Sequence, residues 1–128
     1  MRTLVLVATL AAACGAASTA PRFGENVTVQ YNAAVRVPSD TTTVRFISVT
    51  ADSRCPMGAQ CIWAGDAAVT FLVGGAQQVT LHTNEGASTV FIAGCRLTLI
   101  SLSPYPNVST PIAQKDYVAT IRFDGTND

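Results

Sequence analysis

The chain of 128 residues has one histidine, one tryptophan and only 12% charged residues. Each scarcity excludes a chemistry. A lone His82 rules out a blue-copper centre, which takes two His and a Cys. It also rules out the several-His set of a usual catalytic zinc. No Gly-x-Ser-x-Gly elbow exists, so a hydrolase nucleophile has no seat. No Cys-x-x-Cys spacing exists to depress a thiol pKa. The acidic residues are scattered, with no pair placed for glycoside hydrolysis. The near-neutral balance of basic and acidic residues argues against nucleic acid, which selects a clustered basic face. No apolar run reaches the roughly 20 residues that a membrane-spanning helix needs.

The N-terminus does carry an export layout. Met1 and Arg2 precede an apolar run, Thr3 to Ala13, which ends in small residues directly before Cys14. Such a run fits the h-region of a signal peptide. Leu10-Ala11-Ala12-Ala13-Cys14 is similar to a bacterial lipobox, although the usual Leu position holds Ala11. A competing cut after Ser18-Thr19-Ala20 would place Pro21 beside the scissile bond, a poor substrate. The reading is therefore a lipoprotein signal peptide over 1–13, a lipidated Cys14 and a flexible tether over 14–22. Two or three acyl chains would make the attachment effectively permanent. Gly15, where Asp commonly signals inner-membrane retention, points to the outer membrane if the cell is Gram-negative. The expected location is the cell envelope, outside the cytoplasm. Without Arg2 the mature chain has 7 basic residues against 8 acidic ones. That near-neutral balance predicts no attraction to anionic lipid.

Residues 23–128 are expected to form one domain with one core. No helical periodicity is sustained; short runs of Val, Thr, Ile and Phe alternate with polar residues. Val27 to Tyr31, Thr43 to Ala51, Ala67 to Val73, Gln77 to Thr83, Val90 to Ile92, Cys95 to Leu99 and Tyr117 to Phe123 read as strands. Gly74-Gly75 marks a hairpin. The pattern predicts an all-β fold of roughly eight strands, a small antiparallel β-sandwich, with a partly open β-barrel as the alternative. Ser103 to Gln114, with three prolines, is the longest irregular segment, and Tyr105 is expected to pack it down.

Asp52 to Asp66 is the unusual stretch. Cys55 and Cys61 enclose five residues, with Pro56 suited to the second position of a turn and Gly58 to the fourth. An exported protein meets an oxidising compartment, so these neighbours are expected to bridge, leaving Cys95 over. Closing so small a loop stabilises by roughly 2 kcal/mol in the chain-entropy model. Trp63, two residues after Cys61, is expected to share its strand face and stack on the disulfide. Arg54, Met57 and Gln60 are the residues such a loop would present to a partner. Asp52 and Asp66 are expected to anchor turns, or Asp52 to pair with Arg54 or another arginine. Cys95 alternates with Leu97 and Leu99, which places it in the core.

Asp-Ser-Arg-Cys-Pro, four residues, then Cys-Ile-Trp-Ala-Gly-Asp resembles a motif in a group of small exported bacterial lipoproteins of no settled activity. Leu99 to Pro106 and Asp116 to Thr120 look like the C-terminal half of that group, and the resemblance covers most of 23–123. It implies export and the disulfide, not a reaction. The expected function is a membrane-anchored, non-catalytic binding or structural module, held by lipid on Cys14, with an unidentified protein partner and no cofactor. Two alternatives stand beside it. One is an inhibitor-like domain that presents the Cys55–Cys61 loop to a protease or other enzyme. The other is a metal or redox protein using His82 with Cys55, Cys61 and Cys95.

Overall fold

Alternation of buried and exposed side chains produces eight strands in the computed structural model, which describes residues 20–125. The expected signal peptide and Cys14 lie outside the described residues. The strands are β1 (Asn26–Gln30), β2 (Ala34–Arg36), β3 (Thr43–Asp52), β4 (Ala67–Val73), β5 (Gln77–His82), β6 (Thr89–Ile92), β7 (Cys95–Ser103) and β8 (Val118–Gly125). They form two four-stranded sheets, ordered β1-β8-β7-β6 and β2-β3-β4-β5. Every pairing is antiparallel. This is a small β-sandwich; the sheets do not close, so the barrel alternative is set aside. The sequence reading ran β1 on through Tyr31 and had no strand at 34–36. In the structure the chain turns at Asn32, with φ 65°, and the short β2 pairs with β3.

The core is the inward face of both sheets. Phe46, Phe71 and Leu81 from one sheet meet Leu97, Ile121 and Phe123 from the other, all essentially without solvent contact. Each such side chain contributes about 1.5–3 kcal/mol through burial. Phe46 also packs edge-on against Tyr31, with ring centroids 5.9 Å apart. Cys95 is a free, buried thiol in this core, and burial pushes its pKa up, so the thiol form is favoured. Bulges interrupt β3 between Val49 and Ala51 and β7 between Leu99 and Ser101. At the first, the Gln114 side chain stands in for a strand. Its Oε1 accepts from Val49 N at 3.0 Å, and its Nε2 donates to Val49 O at 2.9 Å.

The connections divide the sandwich into two unlike ends. Short turns over 37–42, 74–76 and 93–94 close one end. The long segments 53–66, 83–88 and 104–117 gather at the other. The chain enters β1 at the short-turn end, where Gly24 N donates to Phe123 O at 2.8 Å.

Candidate functional site

The long-loop end is built around three internal ties. The first is the disulfide between Cys55 and Cys61, whose Cα atoms are 5.8 Å apart. The turn inside it sits one residue later than the sequence reading placed it. Ala59 N donates to Pro56 O at 3.1 Å, which puts Gly58, with φ +89°, in the third position. A type II turn needs positive φ there.

The second tie is Arg54, and here the structure corrects an expectation. Arg54 is not offered to a partner; its side chain is 6% exposed. Its Nε and one terminal nitrogen donate to the two Asp52 carboxylate oxygens at 2.8 and 2.7 Å. The terminal nitrogens also donate to Leu102 O at 2.6 Å and Pro104 O at 3.0 Å. The Tyr105 ring lies over the guanidinium, 5.2 Å from centroid to Cζ. Arg54 therefore holds the end of β3 and the start of the 104–117 segment together. Tyr117 Oη donates to Asp52 at 2.9 Å. Burial pushes the Tyr117 pKa up to about 12, helped by that carboxylate. Burial alone would raise the Asp52 pKa, but the hydrogen bonds from Arg54 and Tyr117 outweigh it and hold the carboxyl below its usual range.

Asp66 is the third tie. Its carboxylate accepts from Asn84 N at 2.8 Å, Glu85 N at 3.0 Å and His82 Nδ1 at 2.6 Å. With the carboxylate ionised, Nδ1 must carry the ring proton. His82 is thus half-buried and bonded. Desolvation opposes ionisation of Asp66, yet these hydrogen bonds prevail and bring its pKa down to about 2 from 3.8. The unfolded chain binds the proton more readily, so Asp66 stabilises the fold above pH 3.8 and the contribution is lost as pH falls toward 2. Between those values we expect the amides of Asn84 and Glu85 to lose exchange protection before the core does. Asp66→Asn removes this acid step; an unchanged amide profile in that variant would refute the assignment.

The flanks of the loop are zipped by Ser53 N to Asp66 O at 2.7 Å and Cys55 N to Ala64 O at 2.9 Å. Gly65, with φ +74°, fits against them so closely that a Cβ there would lie 1.9 Å from Ser53 O. The loop tip is tied to the 104–117 segment by Met57 N to Pro106 O at 2.8 Å.

Outside these ties, residues 57–64 are all exposed. Met57 is 60% exposed, Ile62 92%, Trp63 75% and Val108 61%. Trp63 departs from expectation: residues 61–66 form no strand, and its ring is not packed into the fold. The physical reason lies in Arg54, whose buried guanidinium occupies the interior beneath the loop. Trp63 instead borders an open groove of about 440 Å³ with the disulfide, Pro56 and Glu85. Met57 and Gln60 are exposed; Ile62 and Val108, not singled out in the sequence, are exposed as well, and Tyr105 is half-exposed while its ring lies over Arg54. Only their apolar character in a Pro- and Gly-rich context could have signalled this.

His82 and Asp66 have the geometry of a base and its orienting acid. The imidazole lies against Gly86, where even a Cβ would approach the ring to 2.5 Å, and no hydroxyl or thiol bonds its Nε2 among the described residues. The four residues of the metal alternative are not brought together: Cys55 and Cys61 are joined, and Cys95 starts β7 at the short-turn end. No group of three or more His, Cys, Asp or Glu that could hold a metal occurs among the described residues. No helix among the described residues is long and apolar enough to cross a membrane. No family model, curated protein or solved structure matches the chain, so the site is read from its own chemistry.

Proposed function

We propose that this chain is a lipid-anchored, extracytoplasmic binding module whose long-loop end receives a protein partner. One observation carries the reading: four large apolar side chains, Met57, Ile62, Trp63 and Val108, stand exposed on backbone fixed from within by a disulfide, a buried ion pair and a carboxylate. Exposed apolar groups cost solubility and aggregation resistance, so the gathering of most of them at one end, with Phe23 and Phe91 lying elsewhere, supports an interaction surface there. Fixing the backbone beforehand lowers the entropy lost on binding. The disulfide supports residence in an oxidising compartment, and the lipobox-like run before Cys14 supports the anchor.

The test is a photo-cross-linker at position 64 in the full chain, expressed in a bacterial envelope. A discrete protein adduct is expected, and Ile62→Asp with Trp63→Ser should weaken binding of that partner at least 30-fold, the effect of losing central apolar anchors. The variant should melt within a few degrees of the parent, because these side chains support no core packing. Adducts that persist unchanged in the variant would overturn the loop-end surface. Intact mass of the same protein tests the anchor, which requires a chain starting at acylated Cys14.

A second reading, an inhibitor-like domain, is favoured by the unbroken exposure of 57–64 between fixed ends, the shape of a segment that enters a cleft. It requires the partner to be an enzyme whose turnover slows on binding, with Met57→Ala and Gln60→Ala relieving the inhibition.

A further inference from the structure

The described residues carry balanced charge, but the fold sorts it by end. Arg22, Arg36, Arg45, Arg96 and Arg122 belong to the half closed by short turns, with Glu25, Asp40 and Asp124 as the acids there. Asp52, Asp66, Glu85 and Asp116 belong to the long-loop half, against Arg54 and Lys115. One half is net positive and the other net negative by the same amount. Exposure sharpens the contrast. Arg22, Arg36, Arg45 and Arg96 are exposed, whereas of the three acids only Glu25 is exposed, Asp40 being half-buried against Thr42 and Asp124 21% exposed against Arg122. Arg36 projects from an edge strand of one sheet and Arg96 from the opposite sheet, so the arginines form a collar round that end.

The same end is where the chain enters. Five residues separate Cys14 from residue 20, a reach of at most about 20 Å even fully extended. We propose that the arginine collar is a membrane-docking surface that binds the phosphates of anionic phospholipids in the bilayer holding the anchor. This inference rests on the lipid-anchor reading. Guanidinium forks suit phosphate oxygens, and a collar held within a Debye length of roughly 8–10 Å feels the surface potential. At the long-loop end the Asp52 and Asp66 side chains are largely buried and bonded, and the exposed Glu85 and Asp116 outnumber the exposed Lys115, so that end gains no attraction from the same surface. The domain therefore stands with Met57, Ile62 and Trp63 directed away from its own membrane. Its eight-residue β8 sets that standoff at roughly 26 Å. The near-neutral total charge had suggested indifference to such lipid; segregation of the charge in space reverses that expectation.

Trp63, the single tryptophan, and a polarity-sensitive label on Gln77→Cys report the two ends. The acylated full chain is placed on vesicles of phosphatidylcholine alone or mixed with phosphatidylglycerol. Phosphatidylglycerol should shift the label at 77 toward a less polar environment, and added salt should reverse the shift. Trp63 should stay open to iodide and unquenched by brominated lipid. A label that responds equally to both vesicles, or a Trp63 quenched by brominated lipid, would overturn the proposal. The unacylated Cys14→Ser chain separates the two readings. It should bind phosphatidylglycerol vesicles about tenfold more tightly than its Arg36→Glu/Arg96→Glu derivative. Equal binding defeats the collar, whereas failure of the unaltered chain to bind neutral vesicles defeats the anchor alone.

Discussion

Gly65→Ala should destabilise the domain by more than about 4 kcal/mol, a cost reached only through a few mechanisms. Two of them coincide here. The residue has φ +74°, a region where a side chain costs about 1–3 kcal/mol. The new methyl would also meet Ser53 O at 1.9 Å, a backbone atom that cannot swing aside. Relief requires the flanks of the loop to part, which breaks Ser53 N to Asp66 O and Cys55 N to Ala64 O. Each of those bonds contributes about 1 kcal/mol net. Gly75 supplies the control, because it has nearly the same φ, +73°, with nothing within 4 Å of a Cβ. Gly75→Ala should cost only about 1 kcal/mol. Urea unfolding of both variants decides the matter, and similar midpoints would show that the close approach to Ser53 is not a constraint. If Gly65→Ala does not accumulate, failure of the Cys55–Cys61 bridge to form in freshly made chain gives the same answer.

Arg54→Met should cost about 3–5 kcal/mol, the usual penalty for removing one partner of a buried ion pair. The loss leaves Asp52 with only the Tyr117 hydroxyl and the residue 54 amide, and strips donors from Leu102 O and Pro104 O. For a domain of this size the melting temperature should fall by roughly 15–25 °C. Arg54→Lys should recover only part of it, since an ammonium cannot make the two-pronged contact with Asp52. In the double variant Asp52→Asn/Arg54→Met the costs should be well short of additive, because the stranded carboxylate is then gone. Fully additive costs would mean that the pair does not act as a unit. Limited proteolysis adds a local readout. Release of Pro104 and Tyr105 should expose the 104–117 segment to cleavage before the sheets unfold.

The two variants act on one object from two sides, and that object explains how the binding surface is sustained. A surface made of exposed apolar side chains cannot hold itself in place by burying them. Its rigidity must come from polar ties beneath it, and Arg54, Asp66 and the disulfide supply these. The prediction for Asp66 at low pH follows from the same logic.

Alternation along Val27 to Val29, Ala67 to Val73 and Tyr117 to Phe123 was enough to read an all-β sandwich, because period-two burial is a local property of a strand. The nearness of Cys55 and Cys61 was legible for the same reason: a tight turn needs no distant partner. Core placement of Cys95 followed from its phase with Leu97 and Leu99. The site was less legible. Arg54 and Trp63 traded the places that residue type suggested, the cation inside and the aromatic outside. Asp52 is a neighbour in sequence, but the burial depends on groups far along the chain, since Leu102 and Pro104 accept from the guanidinium only after β3 and β7 meet across the sandwich. His82 likewise acquired Asp66 only through the pairing of β4 with β5. Composition also concealed the sorting of charge, because a net sum has no position. Local periodicity and turn chemistry thus determined the strands other than the short β2, the bridge and the core phase in sequence alone. Burial of one arginine, exposure of the tryptophan and the opposed charge of the two ends were decided by tertiary structure, where long-range pairing brings residues together regardless of their separation along the chain.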